Sequence, residues 1–326
     1  MNDMDDLANV FEGLTPFKGF VPKNNKADAF GCLKNMDLYY SHITDREEIG
    51  GEEVETEFPE IGDGELWFEA VNWLQAAREA KGSYVMMTLG ACFGAQAIGA
   101  YKAMQMVNPL PTKLVLVEPE PENFVRLNQS LRENGIDPEA HWLVNNALTA
   151  TCDPVIFPVG APGSGAQNCF STNGVDMRKL VIDSVREAGT AQQTLENVLL
   201  NNKTGLQINL VPDSEHAFHG ELQFVSAISL REILGPFDYI DYLEADMQQS
   251  EIVVFPPFIE QLTKKVHRIH IGTHGAEVHD GLLRLFEAYG WEIIFDFAPN
   301  SKFETSIGNF ETNDGVLTVR NPALAK

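Results

Sequence analysis

The chain has 326 residues, of which 44% are hydrophobic, and a formal net charge of −24. The length fits one large or two modest globular domains. The negative charge argues against nucleic acid or an anionic membrane as a partner, because a phosphate backbone is bound by clustered Lys and Arg. No apolar run reaches the roughly 18–20 residues of a membrane span, and the acidic start MNDMDD is unlike a signal peptide. A cytoplasmic protein is therefore expected.

The N-terminal segment, residues 1–60, does not show the periodicity of sheet strands. It contains Pro16, Gly19 and Pro22, followed by an acidic tract at 45–60 with few apolar residues. These features predict an extension packed on the core, with a short helix near Leu38. The remaining chain, 61–326, is expected to form the main domain.

The central feature of that domain is a strand, a glycine turn and a helix in immediate succession. Apolar residues at helical spacing predict a helix at 65–80. A buried strand at Tyr84–Leu89 follows, then the turn GACFG at 90–94, then a helix from Ala95. In an open α/β sheet such a turn places a ligand at the carboxyl end of the strand, beside the free N–H groups of the helix.

Strands and helices then alternate to the end of the chain, apart from an insertion at about 151–235. Further strands are expected at 114–118, 141–146, 239–245, 266–271, 291–297 and 316–320. Within the insertion we expect a helix at 178–200 and extended segments at 206–211 and 221–228. The pattern predicts an α/β fold with a doubly wound, mostly parallel seven-stranded sheet. The last two strands lack an intervening helix and should pair antiparallel.

The spacing of the turn leaves several ligands open. A dinucleotide site would have GxGxxG, but Cys92 stands where the second glycine should be. A P-loop would have Lys and Ser or Thr after the turn, but Ala95 and Gln96 stand there. S-adenosylmethionine has no phosphates, and Glu118 at the end of the second strand is suited to its ribose hydroxyls. A turn that serves packing alone is also open.

Several motifs, in this order, resemble the signatures of the FkbM-type methyltransferases. They are Gly90-Ala91-Cys92-Phe93-Gly94, Val117-Glu118-Pro119-Glu120-Pro121, Asn134-Gly135-Ile136, the decapeptide YLEADMQQSE at 242–251, IHIGTHG at 269–275 and Tyr289-Gly290-Trp291. The resemblance implies a class I, Rossmann-like methyltransferase domain that uses S-adenosylmethionine. It further implies O-methylation of a hydroxyl on a sugar or small natural-product acceptor. The sequence leaves open whether the chain is a monomer or a homo-oligomer.

Three positions depart from the pattern of that family. Thr88 stands where the family usually has an acid, Glu244 where it has a lysine, and Gln249 where it has a glycine. All three lie at the cofactor edge of the expected sheet. They support an alternative hypothesis, a catalytically degenerate methyltransferase fold that acts as a binding or assembly module.

Seven residues are predicted to bind the cofactor: Thr88, Gly90, Ala91, Gly94, Glu118, Asn145 and Asn146. The glycine turn lets the ligand approach the backbone, and a hydroxyl at Thr88 can still donate a hydrogen bond. The amides of Asn145 and Asn146 suit the edge of an adenine ring, although turn formation explains them equally well.

Three residues are predicted to be catalytic: Asp246, His270 and His274. Asp246 follows the fourth strand, where it could stabilise the sulfonium, orient the acceptor or take its proton; a helix cap is the structural alternative. Strand alternation places His270 on the face of Gly272, with His274 in the following loop. A neutral histidine there could act as general base. A metal site is the rival interpretation, but no recognised ligand spacing is present and none is predicted.

Overall fold

The computed structural model describes residues 4–39, 49–159 and 221–324. Its strands are β1 Lys18–Val21, β2 Asn25–Ala27, β3 Leu33–Asn35, β4 Glu52–Glu55, β5 Tyr84–Leu89, β6 Thr112–Val117, β7 Trp142–Val144, β8 Ala147–Thr149, β9 Val155–Val159, β10 Glu221–Val225, β11 Ala227–Ser229, β12 Ile240–Ala245, β13 Val266–Thr273, β14 Glu292–Phe297, β15 Ser301–Thr305, β16 Gly308–Thr312 and β17 Gly315–Arg320. Its α-helices are α1 Met36–Tyr39, α2 Glu65–Glu79, α3 Ala95–Val107, α4 Pro121–Glu133, α5 Leu230–Leu234, α6 Glu251–Val254, α7 Ile259–Lys265 and α8 Ala276–Ala288.

Seven strands form the central sheet, in the order β14-β17-β13-β12-β5-β6-β7. Strands β7, β6, β5, β12 and β13 run parallel, whereas β17 is antiparallel to both of its neighbours, β13 and β14. The predicted fold class is confirmed, and the arrangement is consistent with the class I methyltransferase fold. The reversal of β17 has the expected cause, since the hairpin β15–β16 replaces a helical crossover between β14 and β17.

Helices cover both faces of the sheet, as the alternation of buried side chains along each strand requires. Helices α2, α3 and α4 pack on one face, where Met86 and Tyr242 point. Helices α5 to α8 pack on the other face, against Met87 and Leu243. The carboxyl ends of β5, β6 and β12 therefore lie at one edge between the two layers, and the candidate site is built there.

The described N-terminal residues form two small hairpin-like sheets, β1 with β4 and β2 with β3. Leu7, Val10 and Phe30 join the hydrophobic cluster of α2 and α3. The side chain of Asn134, just after α4, accepts from the Leu33 amide at 2.7 Å and donates to the Leu33 carbonyl at 2.9 Å. These contacts attach the segment to the face of the sheet that carries α2.

The described parts of the insertion are two further strand pairs, β8 parallel to β11 and β9 antiparallel to β10. The extended segment expected at 221–228 corresponds to β10 and β11. The helix expected at 178–200 and the extended segment at 206–211 lie outside the described residues. In the part of the chain that the structure describes, no helix has the length and apolarity needed to cross a bilayer.

Candidate functional site

The glycine turn is held against the ends of two neighbouring strands. The amides of Gly90 and Ala91 both donate to the Val117 carbonyl at the end of β6, at 3.0 and 2.9 Å. On the other side, the Asp246 amide donates to the Leu89 carbonyl at 3.0 Å. Gly90 has φ +84°, and a Cβ there would overlap the Asp246 carbonyl oxygen. The turn therefore requires glycine at this position because of packing within the protein itself.

The rest of the turn leads directly into α3. Gly94 caps the helix in a left-handed conformation, and a Cβ there would lie 2.5 Å from Leu127 Cδ1. Cys92 has φ +46° without being glycine, a strained conformation of the kind that often occurs at ligand sites. The predicted Ala91 is completely buried.

Glu118 connects this turn to the second strand. Its Oε2 accepts from the Cys92 amide at 2.7 Å and its Oε1 from the Glu120 amide at 2.9 Å. The residue is only 4% exposed, and burial raises the pKa of its carboxyl to about 7. Because a carboxylate oxygen can accept two hydrogen bonds, Oε2 retains room for one more donor.

The two asparagines lie beyond β7, next to Glu118. The Asn145 side chain donates to the Glu118 carbonyl at 2.8 Å and to the Pro119 carbonyl at 3.2 Å. Asn145 is exposed and Asn146 is half-buried. The Asn145 side chain therefore stabilises the turn after β6, as the alternative to adenine binding requires. An adenine contact by Asn145 or Asn146 stays a prediction.

A polar row crosses the middle of the sheet near its carboxyl edge. Thr88 on β5 is in register with Glu244 on β12, Glu244 with His270 on β13, and His270 with Thr318 on β17. Side chains in register project to the same face, here the face covered by α2. Thr88 is 1% exposed, and its hydroxyl contacts the Met86 sulfur at 3.7 Å.

Glu244 is the carboxylic acid of the row. Its Oε2 accepts from Trp73 Nε1 at 3.2 Å and from the Tyr242 hydroxyl at 3.1 Å. Its Oε1 has no hydrogen-bond partner among the described residues. The side chain is 3% exposed, and burial together with the charge of Glu69 raises the pKa of Glu244 well above its usual value.

His270 is fixed as a neutral ring. Its Nδ1 lies 3.1 Å from Asn72 Nδ2 and 2.8 Å from the Thr318 hydroxyl. Arg268 donates to Asn72 Oδ1 at 3.3 Å, which orients the amide so that its NH2 group faces His270. Nδ1 is therefore an acceptor and the proton lies on Nε2. Burial, with the nearby charge of Arg268, lowers the pKa of His270 to about 3.

His274 lies between two carboxylates in the loop after β13. Its Nε2 is 3.5 Å from Asp246 Oδ1 and 3.5 Å from Asp314 Oδ2. Burial alone would lower the pKa of His274, but the hydrogen bond with Asp314 and the charge of Asp246 raise it to about 9. The side chain of Asp246 is 44% exposed; partial removal from water nevertheless raises its pKa, and His274 opposes this change. At neutral pH His274 thus carries the proton, unlike the neutral ring expected.

The loop after β12 shows that Asp246 does not cap α6, since the N-cap residue of that helix is Ser250. Asp246 Oδ1 accepts from the Gln248 side chain at 3.0 Å and not from a backbone N–H. The Met247 amide instead donates to Glu251 Oε1, inside a fully buried corner. Gln249, at the position where the resembling family has glycine, has φ +80°. Asp246 is therefore left to face the recess at the end of the strands.

That recess has a volume of about 30 Å³ and is strongly acidic. Its ionisable and amide walls are Glu65, Glu69, Gln96, Glu244, Asp246, His270 and Asp314, with Gly272 beside them. No Lys or Arg is among the described residues that line it. Burial, aided at Glu65 by the charge of Asp314, raises the pKa of both Glu65 and Glu69 to about 7. The recess therefore favours a cationic ligand over an anionic one.

Comparisons with known proteins point to methyltransferases at low similarity. A curated protein of Jannaschia sp. (strain CCS1), provisionally named a methyltransferase, is 24% identical over 257 residues, which is 77% of each chain. The solved methyltransferase FkbM of Methylobacillus flagellatus KT is 11% identical, with a TM-score of 0.38 over 78% of this chain and 51% of its own. Precorrin-6y C5,15-methyltransferase of Geobacter metallireducens GS-15 is 10% identical, with a TM-score of 0.37 over 77% and 86%.

No family model matches the chain. At these identities and TM-scores the likenesses assign no family, so membership of the FkbM type stays a prediction. In residues 4–39, 49–159 and 221–324, no group of three or more His, Cys, Asp or Glu is arranged to hold a metal ion.

Sequence reasoning missed Glu65, Glu69 and Asp314, all of which line the recess. Glu65 and Glu69 are spaced i, i+4 on α2, and like charges at this spacing destabilise a helix. That unfavourable pair was the available signal. The same two residues also line a second cavity of about 700 Å³ between the start of α2 and the hairpin β15–β16. Asp314, in a polar loop, offered no signal.

Proposed function

We propose that this chain is an S-adenosylmethionine-dependent methyltransferase. The observation that carries the proposal is the acidic recess at the carboxyl ends of β12 and β13, which Gln96, the second residue of α3, also lines. When bound, S-adenosylmethionine supplies a methyl group attached to a positively charged sulfur. The residues present fit this cofactor, because the recess offers carboxylate oxygens and an imidazole N–H but none of the basic side chains that phosphates need.

The predicted cofactor residues take their roles around the glycine turn. The free lone pair of Glu118 Oε2 accepts a ribose hydroxyl, and Gly90, Ala91 and Gly94 form the wall that the cofactor approaches. Thr88 supports this wall from the interior. Asn145 and Asn146 face the adenine edge from the end of β7.

Asp246 is the residue proposed to accept the proton from the acceptor hydroxyl. It is the most exposed carboxylate next to the turn, and its raised pKa makes it a better base than an ordinary aspartate. His274, which holds its own proton at neutral pH, lies 3.5 Å from Asp246 and balances its charge. His270 presents Nε2–H to the acceptor oxygen. Most of the rate would come from alignment of the reacting atoms.

The acceptor is proposed to be a sugar or small natural product that is methylated on a hydroxyl group. The cavity of about 700 Å³ beside the recess is within the usual size range of small-molecule sites. Its wall carries the carboxylates of Asp63, Glu65 and Glu69, which can accept hydrogen bonds from several hydroxyls. The exclusion of nucleic acid, the cytoplasmic location and the FkbM type remain predictions from the sequence.

Calorimetry with S-adenosylmethionine and S-adenosylhomocysteine tests the proposal. We expect both to bind with micromolar affinity, whereas NAD and ATP, which carry phosphates, should not bind. Failure of both sulfur ligands to bind would contradict the proposal. A radiolabelled methyl-transfer assay over sugars, phenols and amines then tests the acceptor. Transfer only to amines would overturn O-methylation, and binding without transfer to any acceptor would support the non-catalytic alternative.

A further inference from the structure

We infer that Glu244 binds the ammonium group of the amino-acid end of the cofactor, in a subsite formed with Glu69 and Gln96. The inference rests on the proposed function and deepens it. It assigns a ligand to the charged residue that stands where the resembling family has a lysine.

The first argument is the position of the carboxylate. Glu244 is the next-to-last residue of β12 and lies in register with Thr88, two residues before the glycine turn. Its side chain faces the recess, which Gln96 at the start of α3 and Glu69 on α2 also line. A group bound at Glu244 therefore lies beside the turn, within reach of a ligand that follows the carboxyl ends of β5 and β12.

The second argument is the unused hydrogen-bonding capacity of Glu244. Trp73 and Tyr242 hold Oε2 from the protein side, so the orientation of the side chain is fixed. Glu244 lines the recess, and no described residue donates a hydrogen bond to its Oε1. A carboxylate that is 3% exposed, is held through one oxygen and lines a recess is prepared for a donor from outside the chain.

The third argument is charge. A buried carboxylate without a cation is unstable, and here Glu69 adds a second acid nearby. No Lys or Arg among the described residues lines the recess; Lys34 acts on Glu69 but not from the recess wall. An ammonium group would supply the missing positive charge together with donors for Oε1 and Glu69. Thr88 is uncharged, so Glu244 is the residue of this row that can pair with the ammonium group.

Glu244→Gln tests the inference without removing an oxygen from Trp73 and Tyr242. Two probes are compared by calorimetry: S-adenosylhomocysteine, which carries the ammonium, and methylthioadenosine, which lacks the amino-acid end. We expect the variant to bind S-adenosylhomocysteine about 10- to 100-fold more weakly, since a hydrogen bond to a charged group is lost. Its affinity for methylthioadenosine should be unchanged. Asp241→Asn is the matched control, because Asp241 is a buried acid near the amino end of the same strand that accepts from the Val85 amide and does not line the recess.

The outcomes separate the inference from the proposed function. If the unmodified protein binds neither probe, the proposed function fails. If the unmodified protein binds S-adenosylhomocysteine and Glu244→Gln binds it with the same affinity, the inference is wrong. The inference is also wrong if Glu244→Gln binds both probes more weakly by the same factor. Should Glu244→Gln not fold, the deaminated analogue of S-adenosylhomocysteine is measured on the unmodified protein. It should bind at least tenfold more weakly than S-adenosylhomocysteine, and equal affinity would overturn the inference.

Discussion

The backbone carbonyl of Asp246 lies directly against the Cα of Gly90, so closely that no side chain fits between them. The amide of Asp246 simultaneously donates to Leu89 at 3.0 Å. This contact joins the end of β12 to the glycine turn and thereby places the proposed base next to the proposed cofactor wall. The same glycine thus determines both the packing of two strands and the geometry of the site.

Gly90→Ala should be strongly destabilising. The added methyl group would overlap the Asp246 carbonyl, and alanine is also strained at φ +84°. We expect a loss of about 3 kcal/mol in the free energy of unfolding, measured by urea denaturation. Gly82→Ala is the matched control, because φ is +78° there but a Cβ would meet no described atom within 4 Å. It should cost only about 1 kcal/mol, and equal losses would show that the overlap is unimportant.

Gln249→Gly should stabilise the protein. Gln249 has φ +80°, which costs a non-glycine residue about 1–2 kcal/mol. Glycine removes this strain, but it also increases the conformational entropy of the unfolded chain, which offsets part of the stabilisation. The expected net gain is about 0.5–1 kcal/mol in urea denaturation. Gln249→Ala, which keeps the strain and removes the side chain, should show no gain. If both variants behave alike, backbone strain is not the cause.

Glu118→Gln should weaken the binding of both S-adenosylhomocysteine and methylthioadenosine, because both ligands carry the ribose. The new NH2 group would also face the amide of Cys92 or Glu120, each of which now donates to the carboxylate. We expect about a tenfold loss or more for each ligand by calorimetry. This pattern differs from the selective loss expected for Glu244→Gln. Unchanged affinities would remove Glu118 from the ribose site.

Stability should fall as the pH rises from 6.5 to 9. Burial raises the pKa of Glu65, Glu69, Glu118 and Glu251 from 4.5 to about 7, and the pKa of His274 rises from 6.5 to about 9. Groups with raised pKa values bind more protons in the native than in the unfolded state, so their contribution is complete below the unfolded pKa and is lost as the pH rises through the native pKa. The pKa of His270 is lowered to about 3, so its effect lies below this range.

The urea midpoint at pH 6.5 should therefore exceed that at pH 9. Glu251→Gln, in which the amide oxygen can still accept from Met247, removes one of the titrating groups. It should reduce the difference between the two midpoints. A higher midpoint at pH 9 would contradict the prediction.

Much of the sheet could be predicted because its signals are local. Tyr84–Leu89 was predicted with its observed bounds, since an apolar run ended by glycine marks a buried strand. The strand expected at 239–245 is observed as Ile240–Ala245. Strand alternation also placed His270 and Gly272 on one face, and both line the recess.

The protonation of the histidines could not be predicted from the same signals. A neutral general base was expected at His270 or His274. In the structure His270 is neutral but holds its proton on the nitrogen that faces the recess, because Asn72 occupies the other. His274 is protonated because Asp246 and Asp314 flank it. These partners lie up to about 200 residues away along the chain.

The sequence alone determined where β5 ends, which residues form the turn and that Glu118 lies at the end of the second strand. Only the tertiary structure decided that Glu244 stands beside Thr88 and His270, and that Glu65 and Glu69 line the same recess. The physical reason is the range of the interactions. The period of a strand depends on its own backbone, whereas register between strands and the charge of a shared recess depend on how the whole core packs.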